Sequence, residues 1–254
     1  MKTENSIKYV INADDFGGYD AVNYAIDECF AKGLISQTTL MVTWECYGVA
    51  KYLAKEHGYF DKIGLHVSLT RGKSLTEDIR KDKKLYYPNN FFSTYLFVNK
   101  NCFFFLSRKR KKLIKEEIDA QMAFYVKEQY SLMHFDSHGH LHSFYSLYRI
   151  FIELGLKYHF RSVRIPLSTE KESFIAKILK NRVINAYRKN FVVVDTCSDI
   201  QYFITHKQSD SFEVMVHPNN STLADYEKLA AKLLTLYGQP VSYSEVNQHT
   251  LIVN

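Results

Sequence analysis

Short apolar runs recur along this chain, each followed by a stretch with apolar residues at helical spacing, and that rhythm leaves few folds available. Tyr9-Val10-Ile11 reads as a buried strand that ends in the polar cluster Asn12 to Gly18. Val22, Ala25, Ile26, Cys29 and Phe30 then share one helix face, with Gly33 at the expected stop. Thr38 to Val42 predicts strand two, Val49 to Glu56 a helix closed by Gly58, and Lys62 to Ser68 strand three. Ile114, Ile118, Met122 and Tyr125 mark a later helix, Met133 to Asp136 a strand, and Tyr145 to Leu154 a helix before Gly155. Further strands are expected at Val163-Arg164-Ile165, Phe191 to Val194 and Phe212 to Val216, with helices at Phe174 to Ala186 and Leu223 to Tyr237. Such βα alternation implies an α/β fold of parallel strands with outer helices, closed into a barrel or open and doubly wound. The whole span 1–254 reads as one domain.

Leu75 to Lys112 breaks the rhythm with the aromatic-dense segment YYPNNFFSTYLFVNKNCFFFL, set after strand three. It reads either as a lid over a cleft or as a helix pair packed on the rim. The basic run Arg108 to Lys112 is either a solvated helix start or a contact for an anionic surface.

Several function classes fall away on composition. Asp14-Asp15-Phe16-Gly17-Gly18 after the first strand is neither a dinucleotide fingerprint nor a phosphate loop. A formal charge of +6 is too mild and too dispersed for a dedicated nucleic-acid binder. Cys29, Cys46, Cys102 and Cys197 are widely spaced without CxxC, so neither disulfides nor a zinc-thiolate site is expected. No apolar run is long enough to span a bilayer or to form a signal-peptide core, and a cytoplasmic, reducing compartment is the default expectation. A homodimer is the default oligomeric expectation.

Three polar clusters fall at the C-terminal ends of expected strands, the edge where parallel βα folds collect ligands and catalytic groups. The first, Asn12-Ala13-Asp14-Asp15-Phe16-Gly17, sets two carboxylates side by side, which repel unless a cation or proton intervenes. Neighbours on an extended chain point to opposite sides, so one carboxylate can hold a metal while the other faces water. A helix N-cap is the plain alternative. The second, Gly64-Leu65-His66-Val67-Ser68-Leu69-Thr70, carries a histidine that is either a ligand or a satisfied core residue. In the third, Asp136, His138, His140 and His142 face one way if the chain stays extended, an improbable set to bury as packing alone. Together these clusters offer oxygen and nitrogen donors to a divalent metal with positions left for water and substrate, and a free carboxylate beside it as base.

Five motifs in order, NADDFG at 12–17, GLHVSLT at 64–70, DSHGHLH at 136–142, VRIP at 163–166 and EVMVHP at 213–218, resemble the YdjC-like carbohydrate deacetylases. The resemblance implies a distorted (β/α) barrel related to the polysaccharide deacetylases, and one divalent ion, magnesium or zinc, held by Asp15, His66 and His138. It implies Asp14 as base, His217 as the acid for the leaving amine, and Arg164 and His140 near an N-acetylated sugar or oligosaccharide, with His142 structural. Asn219-Asn220 after the HP pair departs from the family pattern, and residues 75–112 align with none of it. Other metal-assisted hydrolysis, of a non-sugar amide or a phosphoester, and a non-catalytic sugar-binding barrel are the competing readings.

Overall fold

The computed structural model describes residues 7–165, 174–206, 211–219 and 223–246; Pro166 and Asn220 of the motifs above lie outside them. Seven parallel strands form one curled sheet in the order β5-β4-β3-β2-β1-β7-β6. They are β1 (Tyr9–Phe16), β2 (Gln37–Leu40), β3 (Ile63–Val67), β4 (His134–Ser137), β5 (Ser162–Val163), β6 (Thr196–Asp199) and β7 (Phe212–Val216). Around them run α1 (Asp20–Ala31), α2 (Tyr47–Glu56), α3 (Tyr95–Val98), α4 (Arg108–Lys127), α5 (Tyr148–Lys157), α6 (Phe174–Arg188), α7 (Ile200–Thr205) and α8 (Leu223–Tyr237). The expected distorted α/β barrel is what the chain builds.

Alternation along the strands divides the interior. Tyr9, Ile11 and Ala13 of β1 join Phe212, Val214 and Val216 of β7 in the core beneath the helices. The intervening positions include the polar and equally buried Asn12, Asp14, His66, His134, Asp136 and Glu213. A period of two thus sorts the outer apolar core from a polar barrel interior. That interior is sealed by the segment after α8, where Tyr243 and Val246 cluster with Val10, Leu132 and Val194.

Two strand expectations shift. Phe191 to Val194 is not a strand: Val192 makes a single parallel bridge to Ser162, and ladder pairing begins at Thr196 against β7. This segment changes partner, touching β5 first and β7 afterwards, and so draws the two edges of the sheet together. The strand expected at Val163 to Ile165 is only Ser162–Val163, leaving Arg164 just beyond its end. The aromatic segment is not a helix pair. It holds the one-turn α3, two 3-10 turns and a Tyr86–Phe92 bridge, anchored by buried Ile79, Leu85, Phe92, Leu96 and Cys102. The basic run is the start of α4, where Ser107 Oγ caps the Arg110 amide. All four cysteines are free, and no described helix is long and apolar enough to cross a membrane.

Candidate active site

β1 brings the first two carboxylates together through a break in its register. Ala13 pairs with Thr38 and Phe16 with Leu40, so Asp14 and Asp15 oppose one residue of β2. Such a bulge re-aims side chains, and Asp15 takes the left-handed φ of 69° that goes with it. Both carboxylates therefore line one cleft, which simple strand alternation would forbid.

Asp14 is 2% exposed and fully engaged. Arg164 reaches its two oxygens at 2.6 Å each, and Asn12 Nδ2 donates to Oδ1 at 2.7 Å. Burial alone would raise its pKa, but the guanidinium overrides that and holds the carboxyl well below the usual range. Arg164 is itself entirely buried, donating through Nε to Glu213 at 2.7 Å and meeting Asp136 at 2.9 Å. Tyr243 O–H closes the chain by donating to the other Glu213 oxygen at 2.7 Å. Arg164, expected beside the substrate, thus lies beneath the cleft and acts on it through Asp14.

Asp15 faces the other way chemically. Its Oδ1 is buried without a hydrogen-bond partner and sits 3.4 Å from His66 Nε2. His66 Nδ1 is taken by Asp136 at 2.6 Å, and Thr39 Oγ1 steadies that carboxylate at 3.2 Å, so Nε2 is the nitrogen left toward Asp15. This is the carboxylate–imidazole arrangement that orients metal-binding histidines. His138 is oriented likewise: Thr70 Oγ1 holds its Nδ1 at 2.7 Å, and its ring stands edge-on to His66 at 6.0 Å. Burial pushes the His138 pKa down to about 4, keeping the ring neutral and its free nitrogen able to bind a cation. The orphaned Asp15 oxygen and two pre-oriented imidazoles fit a divalent metal in donor type and in unmet polar demand.

Tighter groupings of donor atoms exist, within 4.8 Å of one another: Asp14–His66–Asp136 and His134–Asp136–Glu213. In both, carboxylates are already neutralised by the Arg164 guanidinium, so a second cation there would meet fixed positive charge.

The histidine run does not stay extended. After β4 the chain turns tightly over His138–Ser143, with Gly139 at φ 65° and His140 at φ 54°. His138 is brought beside His66 and Asp15. His142 folds back onto Ser137, whose Oγ meets its Nδ1 at 2.7 Å and accepts its amide at 2.9 Å. His140 keeps a buried, unpartnered Nδ1, and burial lowers its pKa to about 3. His217, just past β7, lines the cleft with Nε2 3.8 Å from Asp14 Oδ2.

Sequence reading missed Thr39, Thr70 and Glu213 as supporting groups, and Tyr19, Trp44 and Arg71 in the cleft wall. Thr70 and Glu213 lie inside the motifs already singled out, whereas Trp44 lies outside every one of them.

Comparison with known proteins agrees with this architecture. A solved structure from Enterococcus faecalis V583, assigned to cellobiose-phosphate cleavage, superposes with a TM-score of 0.70. It covers 95% of this chain and 99% of that one at 19% identity, which speaks to the fold alone. A protein of Clostridium beijerinckii named carbohydrate deacetylase is 26% identical over 84% of this chain and 81% of its own length. One of Vibrio cholerae O395 with the same name is 33% identical over 60% of this chain, a match spanning 57% of that relative. The family model described as YdjC-like protein matches residues 8–237, and the chain belongs to that family.

Proposed function

We propose that this protein is a metal-dependent hydrolase that removes the acetyl group from an N-acetylated sugar or oligosaccharide and releases acetate. The observation carrying this reading is the pairing of two unlike carboxylates at one bulge: Asp14 held at both oxygens by Arg164, and Asp15 with no hydrogen bond at Oδ1 and only a long 3.4 Å contact to His66. Several relatives bear the name carbohydrate deacetylase, which supports the choice of sugar amide as substrate.

Asp15, His66 and His138 would hold one divalent ion. When bound, the ion supplies Lewis-acid polarisation of the acetyl carbonyl and lowers the pKa of water. Asp136 and Thr70 fix which imidazole nitrogens face that position. Asp14, kept ionised by the Arg164 guanidinium, accepts the proton of the attacking water. A carboxylate this acidic is a weak base, so the proton does not rest there; His217, 3.8 Å away, is the group to carry it to the leaving nitrogen. Arg164 fixes the Asp14 carboxylate plane from below, and its three carboxylate partners fix Arg164 in turn.

Acetate release from a panel of N-acetylated sugars, with added divalent metal and Asp14→Asn as control, tests the reading. Wild-type release that the variant loses is the expected result. Metal bound but no acetate from any sugar, or phosphate released from phosphoesters instead, would overturn it.

A further inference from the structure

The cleft beside Asp14 has a cavity of about 190 Å³, below the roughly 300 Å³ at which pockets begin to take drug-sized ligands, and suited to a single sugar unit. Its lining mixes two chemistries: Asp14, Asp15, His217 and Arg71 are polar or charged, whereas Tyr19, Val22, Met41 and Trp44 offer carbon surface. The Arg71 guanidinium makes no hydrogen bond or ion pair among the described residues. A pyranose combines the same two chemistries, with C–H groups on one face and oxygens around its rim.

The apolar part of the lining is a built wall. Tyr19 packs edge-on to Trp44 at 4.6 Å, and Phe91 of the aromatic segment backs the indole at 6.4 Å. Gly72 has φ +80°, and a Cβ there would fall 2.6 Å from Thr43 O and 2.8 Å from Trp44 Cδ1, so only glycine lets the loop after β3 pass this close to the indole edge. Backbone bonds from Lys73 to Thr43 and from Phe92 to Gly72 clamp the same loop. Trp44 Nε1 is buried and unpartnered, so the ring turns carbon surface rather than its N–H toward the cleft.

We infer that Trp44 is a specificity-determining residue, the surface on which the apolar face of the acetylated sugar lies while its oxygens meet the polar groups of the lining, Arg71 among them. The inference rests on the deacetylase reading and adds to it the orientation of the sugar. It also gives the aromatic segment a share in the site, because Phe91 supports the platform without covering the cleft.

Trp44 is the single tryptophan of the chain, so its fluorescence reports this wall alone. Diacetylchitobiose titrated into metal-loaded Asp14→Asn protein should change the emission saturably. In the catalytically intact protein, Trp44→Ala should raise KM by about tenfold while kcat stays within about threefold, and Trp44→Phe should raise KM only about two- to threefold. Unfolding curves for both variants separate a loss of stacking from a loss of fold. Acetate release with no emission change, or with KM unmoved in Trp44→Ala, would overturn the platform and leave the deacetylase reading standing. A saturable emission change with no acetate release would sustain the platform and overturn the hydrolytic reading. Neither signal would sink both.

Discussion

Asp14 and Asp15 are neighbours in sequence, yet they belong to two different regions of the barrel. Asp14 tops a closed layer in which Arg164, Asp136, Glu213, Tyr243 and Asn12 meet one another's hydrogen-bonding needs. Asp15 belongs to a less satisfied layer above it, where its Oδ1 makes no hydrogen bond, His66 Nε2 turns toward it at 3.4 Å, and His138 is held only through Nδ1. Satisfied polar networks hold geometry, while a carboxylate oxygen without its full set of partners is open to a ligand. On the proposed reading the contrast divides labour: the lower layer holds the base Asp14 in position and the upper layer holds the metal.

The most severe way to break that division is to remove the cation on which the lower layer depends. Arg164→Met should destabilise the fold by about 3–5 kcal/mol, since it strands buried carboxylates without their partner. Urea unfolding followed by far-ultraviolet circular dichroism measures this, and unchanged stability would mean the layer is not held by charge. Next comes Asp14→Asn, expected to lower kcat by roughly two to four orders of magnitude while leaving metal affinity nearly intact. If both fell together, Asp14 would belong with the ligands.

Asp136 joins the layers, touching Arg164 below and His66 above. Asp136→Asn should weaken metal binding by roughly 10- to 100-fold, by loosening the hold on His66. Competition against a chelating dye would read this, and unchanged affinity would show that the layers are independent. The smallest effect concerns a single proton. Burial pulls the His66 pKa down, but Asp136 and Asp15 raise it to about 10 in the metal-free protein, so the ring is protonated at pH 7. A metal that takes the Nε2 lone pair must expel that proton, so loading should release close to one proton and weaken as pH falls. Titration calorimetry in buffers of different ionisation heat counts it, and a release near zero would mean His66 is already neutral.

Much of the outer shell was legible in the sequence because burial on a parallel sheet writes itself as short apolar runs. β1, β3, β4 and β7 fall where those runs lie, as do α1 and α8. Phe191 to Val194 misled because an apolar run records burial and not pairing; Val192 and Val194 are partly or fully covered without forming a ladder. Periodicity also missed α7, whose six residues are too short to display a face. The aromatic segment stayed ambiguous because its rings serve both as anchors, such as Phe92, and as exposed surface, such as Phe97.

By itself the sequence determined which residue types stand at the ends of the strands, and so which chemistry the mouth of the barrel can host. Acids and imidazoles at strand ends are local facts, readable from order and spacing. Tertiary structure alone decided what each one does. The β1 bulge turned two adjacent carboxylates into one cleft, the left-handed turn at Gly139 and His140 left His138 beside His66, and curling of the sheet set Arg164 against Asp14, Asp136 and Glu213. Backbone irregularities and contacts between residues as far apart as Asp14 and Arg164 leave no periodic trace, because they depend on strands meeting across the barrel and not on neighbours along the chain.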